Sequence, residues 1–268
     1  MSNSSPFPQI PFNEVVKRIS AGTTVITPNR RLALALKEKF NQHQISQGMA
    51  AWHSADVLPF TALIERIYLD TLYSKQTSVF PLLLSTAQEQ ALWESIIQSS
   101  VAGKTLLRIP QTAHWVREAW QLAHTWQLIP GLKDDYPNED GKAFLDWAKS
   151  YRQITARHRQ TDQARICDLV TERYEHLDIK KATALICYGF DLFTPQQITF
   201  LKKLAATGCE VVLAHPVSKY RQSLEGIQRV ECINSRDEIY QTALWARTKV
   251  EVDSAARIGI VVPALASY

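Results

Sequence analysis

The sequence predicts an α/β fold in which a parallel β-sheet is interrupted by an all-helical subdomain. Short continuous apolar runs, typical of strands covered on both faces, occupy residues 25–26, 57–58, 184–190 and 211–213. Each run is followed by apolar residues at helical spacing, which indicates alternating strands and helices and therefore a parallel sheet. Between the second and third runs only helical patterns occur, over a stretch too long for an ordinary crossover connection. We therefore expect a helical subdomain to be inserted into the α/β domain.

The first two strand-to-helix units lie in residues 1–80. Thr27 is predicted to cap the helix that follows the first strand, with Pro28 as its first residue. The buried face of that helix is predicted from apolar residues at helical spacing, namely Leu32, Leu36 and Phe40. The second strand is followed by a helix whose apolar positions are Leu63, Ile67 and Tyr68.

Residues 81–180 form the predicted helical insert. A capping box at Ser85 and Gln88 marks the start of its first helix, and further helices are predicted over 113–128, 144–158 and 166–174. One of these segments carries three tryptophans, Trp115, Trp120 and Trp126. We interpret them as core residues rather than as platforms on which nucleic-acid bases stack.

Residues 181–227 are predicted to complete the sheet domain. Thr194 and Gln197 form a capping box with Pro195 at the first helical position, and Gly208 is placed to end that helix. Strands predicted at 230–233 and 258–262 enclose a helix with apolar positions Ile239, Ala243 and Ala246. We expect residues 228–268 to begin a second α/β domain and the native protein to continue past them.

The composition indicates a folded protein of the cytoplasm. Hydrophobic residues make up 46% of the 268 residues, enough for a sizeable core. The formal net charge of +4 is compatible with a nucleic-acid partner. Two of the four cysteines lie within apolar strand-like runs, which favours reduced core thiols over a disulfide framework. Neither a signal peptide nor a membrane-spanning segment is predicted.

The chain lacks the motifs of nucleotide and nuclease chemistry. Gly103-Lys104-Thr105 resembles the end of a phosphate-binding loop, but Gln98 stands where the loop needs glycine, and the tripeptide follows a predicted helix. The nine glycines are too scattered for another glycine-rich loop, and no Glu-x-Lys of metal-dependent nucleases occurs. The histidines form no zinc motif and the serines no esterase elbow. We therefore predict no metal site, no cofactor and no catalytic residue in this chain.

Nucleic-acid contact is the positive prediction. Asn29, Arg30 and Arg31 start the helix just beyond the carboxyl end of the first strand, where free backbone N–H groups and the helix dipole favour a phosphate. The residues alone leave a second interpretation open, a solvated first turn whose arginine stems pack on the sheet. Another basic stretch is compatible with an exposed helix end and comprises Arg157, His158, Arg159 and Arg165.

The strand end at Gly189, Phe190 and Asp191 is the second position of interest. A motor ATPase carries an acid pair at the end of this strand, one acid for magnesium and one to activate water. Gly189 and Phe190 occupy those places here, and we interpret Asp191 as an ordinary turn or capping residue. ATP hydrolysis is therefore not expected at this strand end.

Four segments together resemble a known family. They are Val25-Ile-Thr-Pro-Asn-Arg-Arg-Leu32, Asp56-Val-Leu-Pro-Phe-Thr61, Gly189-Phe-Asp-Leu-Phe-Thr-Pro-Gln-Gln197 and Arg257-Ile-Gly-Ile-Val-Val-Pro263. In this order they are similar to the N-terminal portion of bacterial "probable DNA repair proteins", which in turn resemble the B subunit of the AddAB (RexAB) helicase–nuclease. The resemblance covers nearly the whole chain.

The resemblance implies a superfamily I helicase-like architecture. The sheet would be RecA-like, of the P-loop NTPase type, with the helical insert inside its first domain. By the same resemblance, Thr27, Asn29, Arg30 and Arg31 match a motif that touches single-stranded DNA, and Gly189, Phe190 and Asp191 match a degenerate Walker B position. No Walker A loop precedes the first strand, where Gly22 is the only glycine. Relatives of full length end in a nuclease domain.

Three functions remain as alternatives at this point. The first is a catalytically silent helicase-like region of a DNA repair exonuclease, which contacts single-stranded DNA or braces a partner motor. The second is a scaffold that docks a helicase–nuclease partner subunit without affinity for DNA. The third is an ATP-dependent helicase that uses an unrecognised nucleotide loop.

Overall fold

The computed structural model describes residues 6–19, 23–74, 80–131, 138–177, 179–216, 227–262 and 265. The chain divides into two compact units, Met1–Val217 and Ser218–Tyr268. In chain order, the first unit contains β1 (Gln9–Ile10), α1 (Phe12–Arg18), β2 (Thr23–Thr27), α2 (Arg30–Ser46), β3 (Val57–Pro59), α3 (Phe60–Leu72), β4 (Leu82–Leu83), α4 (Thr86–Ser99), α5 (Ile109–Thr125), α6 (Glu139–Arg157), β5 (Gln160–Thr161), α7 (Ile166–Arg173), β6 (Ala184–Tyr188), α8 (Pro195–Ala206) and β7 (Glu210–Ala214).

The main sheet has five strands in the order β1-β7-β6-β2-β3, and every neighbouring pair is parallel. This confirms the predicted parallel α/β sheet, to which the short strand β1 is an unpredicted addition. The connection from β2 to β3 runs through α2, whereas that from β6 to β7 runs through α8 in the opposite direction along the sheet. The sheet is therefore doubly wound, and its winding reverses between β2 and β6.

Helices cover both faces of the sheet. In β2, Val25 joins the core that α1 and α2 close, while Ile26 joins the core formed with α3, α7 and α8, and both side chains are fully buried. Ile186 and Cys187 divide in the same way in β6. Because successive side chains point to opposite faces, a strand covered on both sides must be apolar throughout. The continuous apolar runs in the sequence have this origin.

The helical insert has its own core, formed by α4, α5 and α6. Trp93 stacks on Tyr151 with ring centroids 4.0 Å apart, and Trp120 packs against both rings. The core interpretation is confirmed for Trp120, which is 1% exposed. It is wrong for Trp115 and Trp126, which are 58% and 39% exposed, because the buried face of α5 is filled by Ala113, Val116, Trp120 and Ala123.

Two details of the predicted insert are corrected. Residues 81–180 are not wholly helical, since β4 and β5 form a short parallel pair between α3 and α7. Two-residue strands carry no detectable alternation, which is why the sequence pattern missed them. In addition, α7 packs on α3 and α8 and contributes Ile166 and Val170 to a core of the sheet. The separate helical core is therefore limited to α4–α6.

The second unit contains α9 (Ser235–Val252), which Asn234 caps through a hydrogen bond from Asp237 N to its side-chain oxygen, 3.0 Å long. The strands predicted at 230–233 and 258–262 are wrong, because neither segment is assigned to a strand in the part of the chain that the structure describes. Apolar content alone does not make a strand without a neighbour to pair with, and Ile233 and Val261 are 92% and 89% exposed. None of the described helices is long and apolar enough to cross a membrane.

Candidate functional site

The turn from β2 into α2 is built around Asn29. Its side-chain oxygen accepts a hydrogen bond from Leu32 N, 2.9 Å long, so Asn29 is the N-cap and Arg30 the first helical residue. The prediction that Thr27 caps the helix and Pro28 begins it is therefore wrong by two residues. Thr27 is fully buried, and its hydroxyl donates to the Asn29 carbonyl oxygen over 2.8 Å. Thr27 thus fixes the turn and offers no surface for DNA.

Asn29, Arg30 and Arg31 are exposed at the start of the 17-residue helix α2. Among the described residues, no hydrogen bond or ion pair occupies either guanidinium, and the first turn of the helix carries no acidic residue. Asn29 accepts the hydrogen bonds of Leu32 N and Ala33 N, which leaves the backbone N–H groups of Arg30 and Arg31 without helical acceptors, and the dipole of the helix adds partial positive charge. The arrangement of cationic side chains and free N–H groups favours an anion, above all a phosphate.

The end of β6 contacts this turn through Gly189. Its backbone has a φ of +75°, and a Cβ placed there would lie 2.5 Å from Leu32 Cδ2 in the first turn of α2. Phe190 turns to the opposite face, where it is 4% exposed and stacks on Phe193 with centroids 4.7 Å apart. Asp191 is exposed. This strand end therefore has a packing role: Gly189 leaves room for the first turn of α2, and Phe190 fills the core on the other face.

The topology brings the two sequence-predicted segments together. β2 and β6 are hydrogen-bonded neighbours, and the winding of the sheet reverses between them. In doubly wound sheets such a reversal leaves a crevice outside the carboxyl ends of the two strands, where ligands bind. Asn29 follows one of these strand ends and Gly189 the other. The candidate site therefore lies where this architecture places its ligands.

Close packing at this point makes Gly189 sensitive to substitution. We expect Gly189→Ala to lower the free energy of unfolding by about 1–2 kcal/mol, since alanine is strained at positive φ and its Cβ would press on Leu32. Urea denaturation measures the loss. Gly48→Ala is the matched control, because Gly48 has a φ of +76° but nothing within 4 Å of an added Cβ. Equal losses in the two variants would show that the contact with Leu32 contributes nothing.

The described strand-to-helix junctions hold no nucleotide loop. β1 passes into α1 through Pro11 alone, without glycine or lysine, while Gly22 lies outside the described residues. Gly103-Lys104-Thr105 lies in a 3₁₀ turn, Ala102–Thr105. This turn follows α4, which confirms the prediction that the tripeptide comes after a helix and not after a strand. A Cβ on Gly103 would lie 1.8 Å from the Ile97 carbonyl oxygen. That glycine therefore permits close backbone packing and forms no phosphate cradle.

Sequence reasoning missed an ion pair that ties β2 to α3. Arg66 donates to both carboxylate oxygens of Asp56, over 2.7 and 3.0 Å, and Thr24 Oγ1 donates to Asp56 over 2.6 Å. Burial opposes ionisation of this carboxyl group, but the hydrogen bonds from Arg66 and Thr24 outweigh it and lower the pKa of Asp56. The three residues line a cavity of about 660 Å³. Their spacing in the sequence matches no motif and gave no signal.

The cysteines and the metal-ligating residues show no sign of catalysis in the described part of the chain. All four cysteines are free, and Cys167, Cys187 and Cys209 are buried, which confirms the predicted core thiols. Burial raises the pKa of the Cys167 thiol to about 12 and that of Cys209 to about 11, so both remain protonated and unreactive. Within the described ranges, no three His, Cys, Asp or Glu side chains are grouped to hold a metal.

The fold and this site define a doubly wound α/β protein with a helical insert. Its cationic helix start lies where the winding of the sheet reverses, between β2 and β6. No family model and no curated protein matches the sequence. Function is therefore inferred from the geometry of the chain itself.

Proposed function

We propose that this chain is the catalytically silent, helicase-like N-terminal region of a cytoplasmic DNA repair exonuclease, and that it contacts single-stranded DNA at the start of α2. The observation that carries the proposal is the position of Arg30 and Arg31. Both guanidiniums are exposed at a helix N-terminus on the carboxyl edge of the sheet, beside the reversal between β2 and β6. The proposed RecA-like character of the sheet accords with its parallel, doubly wound order.

The chemistry of the site favours binding over catalysis. Phosphate contacts supply most of the affinity of sequence-independent DNA binding, and arginine pairs with phosphate through two parallel hydrogen bonds. Hydrolysis would need carboxylates for magnesium at the end of β6, where Phe190 is instead part of an apolar core. A carboxylate in that position would be buried without a partner, at a large energetic cost. An ATP-dependent helicase is therefore the least supported of the three alternatives.

A titration with single-stranded DNA tests the contact. We expect the full chain to bind a fluorescein-labelled oligothymidylate in an anisotropy titration, with affinity falling as salt rises. Arg30→Ala/Arg31→Ala removes two phosphate contacts. The negative slope of log Kobs against log salt should therefore become less steep by about 1.4. Lys142→Ala/Lys202→Ala removes the same charge from exposed positions on α6 and α8 and should preserve the slope. An unchanged slope in the arginine variant would remove the α2 site from the proposal.

One observation favours the scaffold as the second candidate. The outer face of α5 carries Trp115, Ala119, Leu122 and Trp126, all exposed and spaced three or four residues apart. Exposed apolar residues that align along one helix are typical of a protein-docking face. The same titration separates the two candidates, because a scaffold without DNA affinity shows no strand binding even at low salt.

A further inference from the structure

A cleft between the helical insert and α7 is lined by arginines that the proposed function does not use. Two adjoining cavities of about 660 and 710 Å³ lie beside α6 and share Arg152 and Arg165 in their walls. The first is also lined by Arg159 and Arg173. These four arginines come from α6, from the turn before β5, from the start of α7 and from its end, so the fold itself assembles them around one space.

Three of the four guanidiniums have no carboxylate partner among the described residues. Arg165 is paired with Asp162, with its Nε 2.7 Å from Asp162 Oδ2. Arg173 lies over the ring of Phe80, 5.0 Å from its centroid. Arg152 and Arg159 are exposed, and their guanidiniums make no hydrogen bond or ion pair within the described part of the chain. Like charges gathered around one cavity repel each other, and a bound anion relieves this repulsion. The cleft is therefore preformed for negative charge.

The acidic residues of the cleft do not cancel this charge. Asp168 accepts a hydrogen bond from His124 Nδ1 across 3.2 Å, which leaves Glu172 as the other carboxylate of the first cavity. His124 Nε2 is buried and has no hydrogen-bond partner among the described residues. The second cavity adds Asp146 and, beside it, Lys149. Once Arg165 is set against Asp162, three guanidiniums and this lysine face three carboxylates, one of which is already bonded to His124.

Arg159 lines the first cavity from a left-handed turn directly after the C-cap of α6. Its φ is +53°, in the left-handed region where glycine or asparagine is the ordinary choice. Its carbonyl oxygen accepts a hydrogen bond from Leu82 N over 2.8 Å, so the pairing of β4 with β5 sets the position of the turn. Gln127 adopts the same conformation after α5, so the end of the helix accounts for the backbone of Arg159. The free guanidinium is what the turn adds to the cleft.

We propose that this cleft binds the phosphodiester backbone of a single nucleic-acid strand, as a second site separate from the start of α2. Several guanidiniums spread over two connected cavities fit successive phosphates of one chain better than an isolated ion, because each cavity is far larger than a phosphate. Ile129, Phe144 and Leu169 supply apolar walls between the charges. Sequence-independent strand binding combines a cationic track with apolar surfaces in this way.

The test compares Arg152→Ala/Arg159→Gly/Arg173→Ala with the unmodified chain in the oligothymidylate titration. Glycine is chosen for Arg159 because it removes the guanidinium and relieves the backbone strain, so the fold is not put at risk there. Loss of three phosphate contacts should lower the slope of log Kobs against log salt by about 2. Arg157→Ala is the matched single-charge control, since Arg157 is exposed on α6 but lines neither cavity.

Each outcome decides the proposal. A second strand site is supported by three results together. The triple variant shows a less steep salt dependence, Arg157→Ala shows the same salt dependence as the unmodified chain, and adding Arg30→Ala/Arg31→Ala to the triple variant reduces the steepness further. An unchanged slope in the triple variant overturns it, whatever the α2 variant does. Inorganic pyrophosphate serves as the free-phosphate probe: if the triple variant loses pyrophosphate binding but keeps full strand binding, the cleft serves a small phosphate compound and the strand assignment is overturned.

Discussion

Asp162→Ala is expected to lower the free energy of unfolding by about 3 kcal/mol, because it removes a buried carboxylate and leaves the partly buried guanidinium of Arg165 with only the Thr155 hydroxyl as a hydrogen-bond partner. Asp162 is fully buried directly after β5. Its Oδ2 accepts from Arg165 Nε over 2.7 Å and from Trp120 Nε1 over 3.3 Å, and its Oδ1 accepts from Arg165 N over 3.0 Å. One side chain therefore joins the core of the insert to the start of α7. Thermal and urea denaturation of the full chain measure the loss.

A second substitution separates the charge pair from the packing around it. In Asp162→Ala/Arg165→Met neither charge is buried alone, so the double variant should be markedly more stable than Asp162→Ala. Asp146→Ala, at an exposed position of α6, is the matched control and should change stability by less than about 0.5 kcal/mol. If the double variant is as unstable as the single one, the aspartate acts through its capping bond to Arg165 N and not through the charge pair.

This network illustrates what the sequence could and could not predict. The sheet strands were predictable because burial on both faces requires continuous apolar residues, and Ala184–Tyr188 shows this directly. The capping box of α8 at Thr194 and Gln197 was equally local and is confirmed. Asp162, by contrast, acquires its role only when β4 pairs with β5 and α5 brings Trp120 alongside. Such contacts join residues far apart in the chain, and no rule based on sequence spacing predicts them.

The candidate site divides in the same way. The sequence indicated a cationic helix start after β2, and the structure shows Arg30 and Arg31 exposed there. It did not indicate that Gly189 admits the first turn of α2, because that contact joins segments on either side of the insert. Nor did it show that Arg159, at the end of α6, lines a cavity with arginines from other elements, since that cavity exists only in the folded chain. The sequence thus predicted features set by neighbouring residues, such as the cationic helix start. It did not predict which residues from distant segments come together in the folded chain.

Glu89 makes the stability of the insert depend on pH. The side chain is 6% exposed near the start of α4, and its Oε1 accepts a hydrogen bond from Gln163 N over 3.3 Å. Burial, and after it the negative charge of Asp162, raise the pKa of Glu89 from 4.5 to about 7. The folded protein therefore keeps this proton at pH values where the unfolded chain has released it. By linkage, the contribution of Glu89 is most favourable below about pH 4.5 and is lost as the pH rises towards about 7.

Glu89→Gln should remove this loss, because the amide stays neutral and its oxygen can still accept from Gln163 N. We expect the variant to exceed the unmodified protein in stability at pH 8 by about 2–3 kcal/mol, with the difference shrinking towards zero below about pH 4.5. Urea midpoints at several pH values measure both curves. Glu65→Gln makes the same chemical change at an exposed position of α3 and should leave the curve unaltered. A constant difference between Glu89→Gln and the unmodified protein at all pH values would show that the pKa of Glu89 is the same in the folded and the unfolded chain. Because Asp162 contributes to the raised pKa of Glu89, Asp162→Asn should move the pH at which this stability is lost downwards, which no purely local effect of Glu89 would produce.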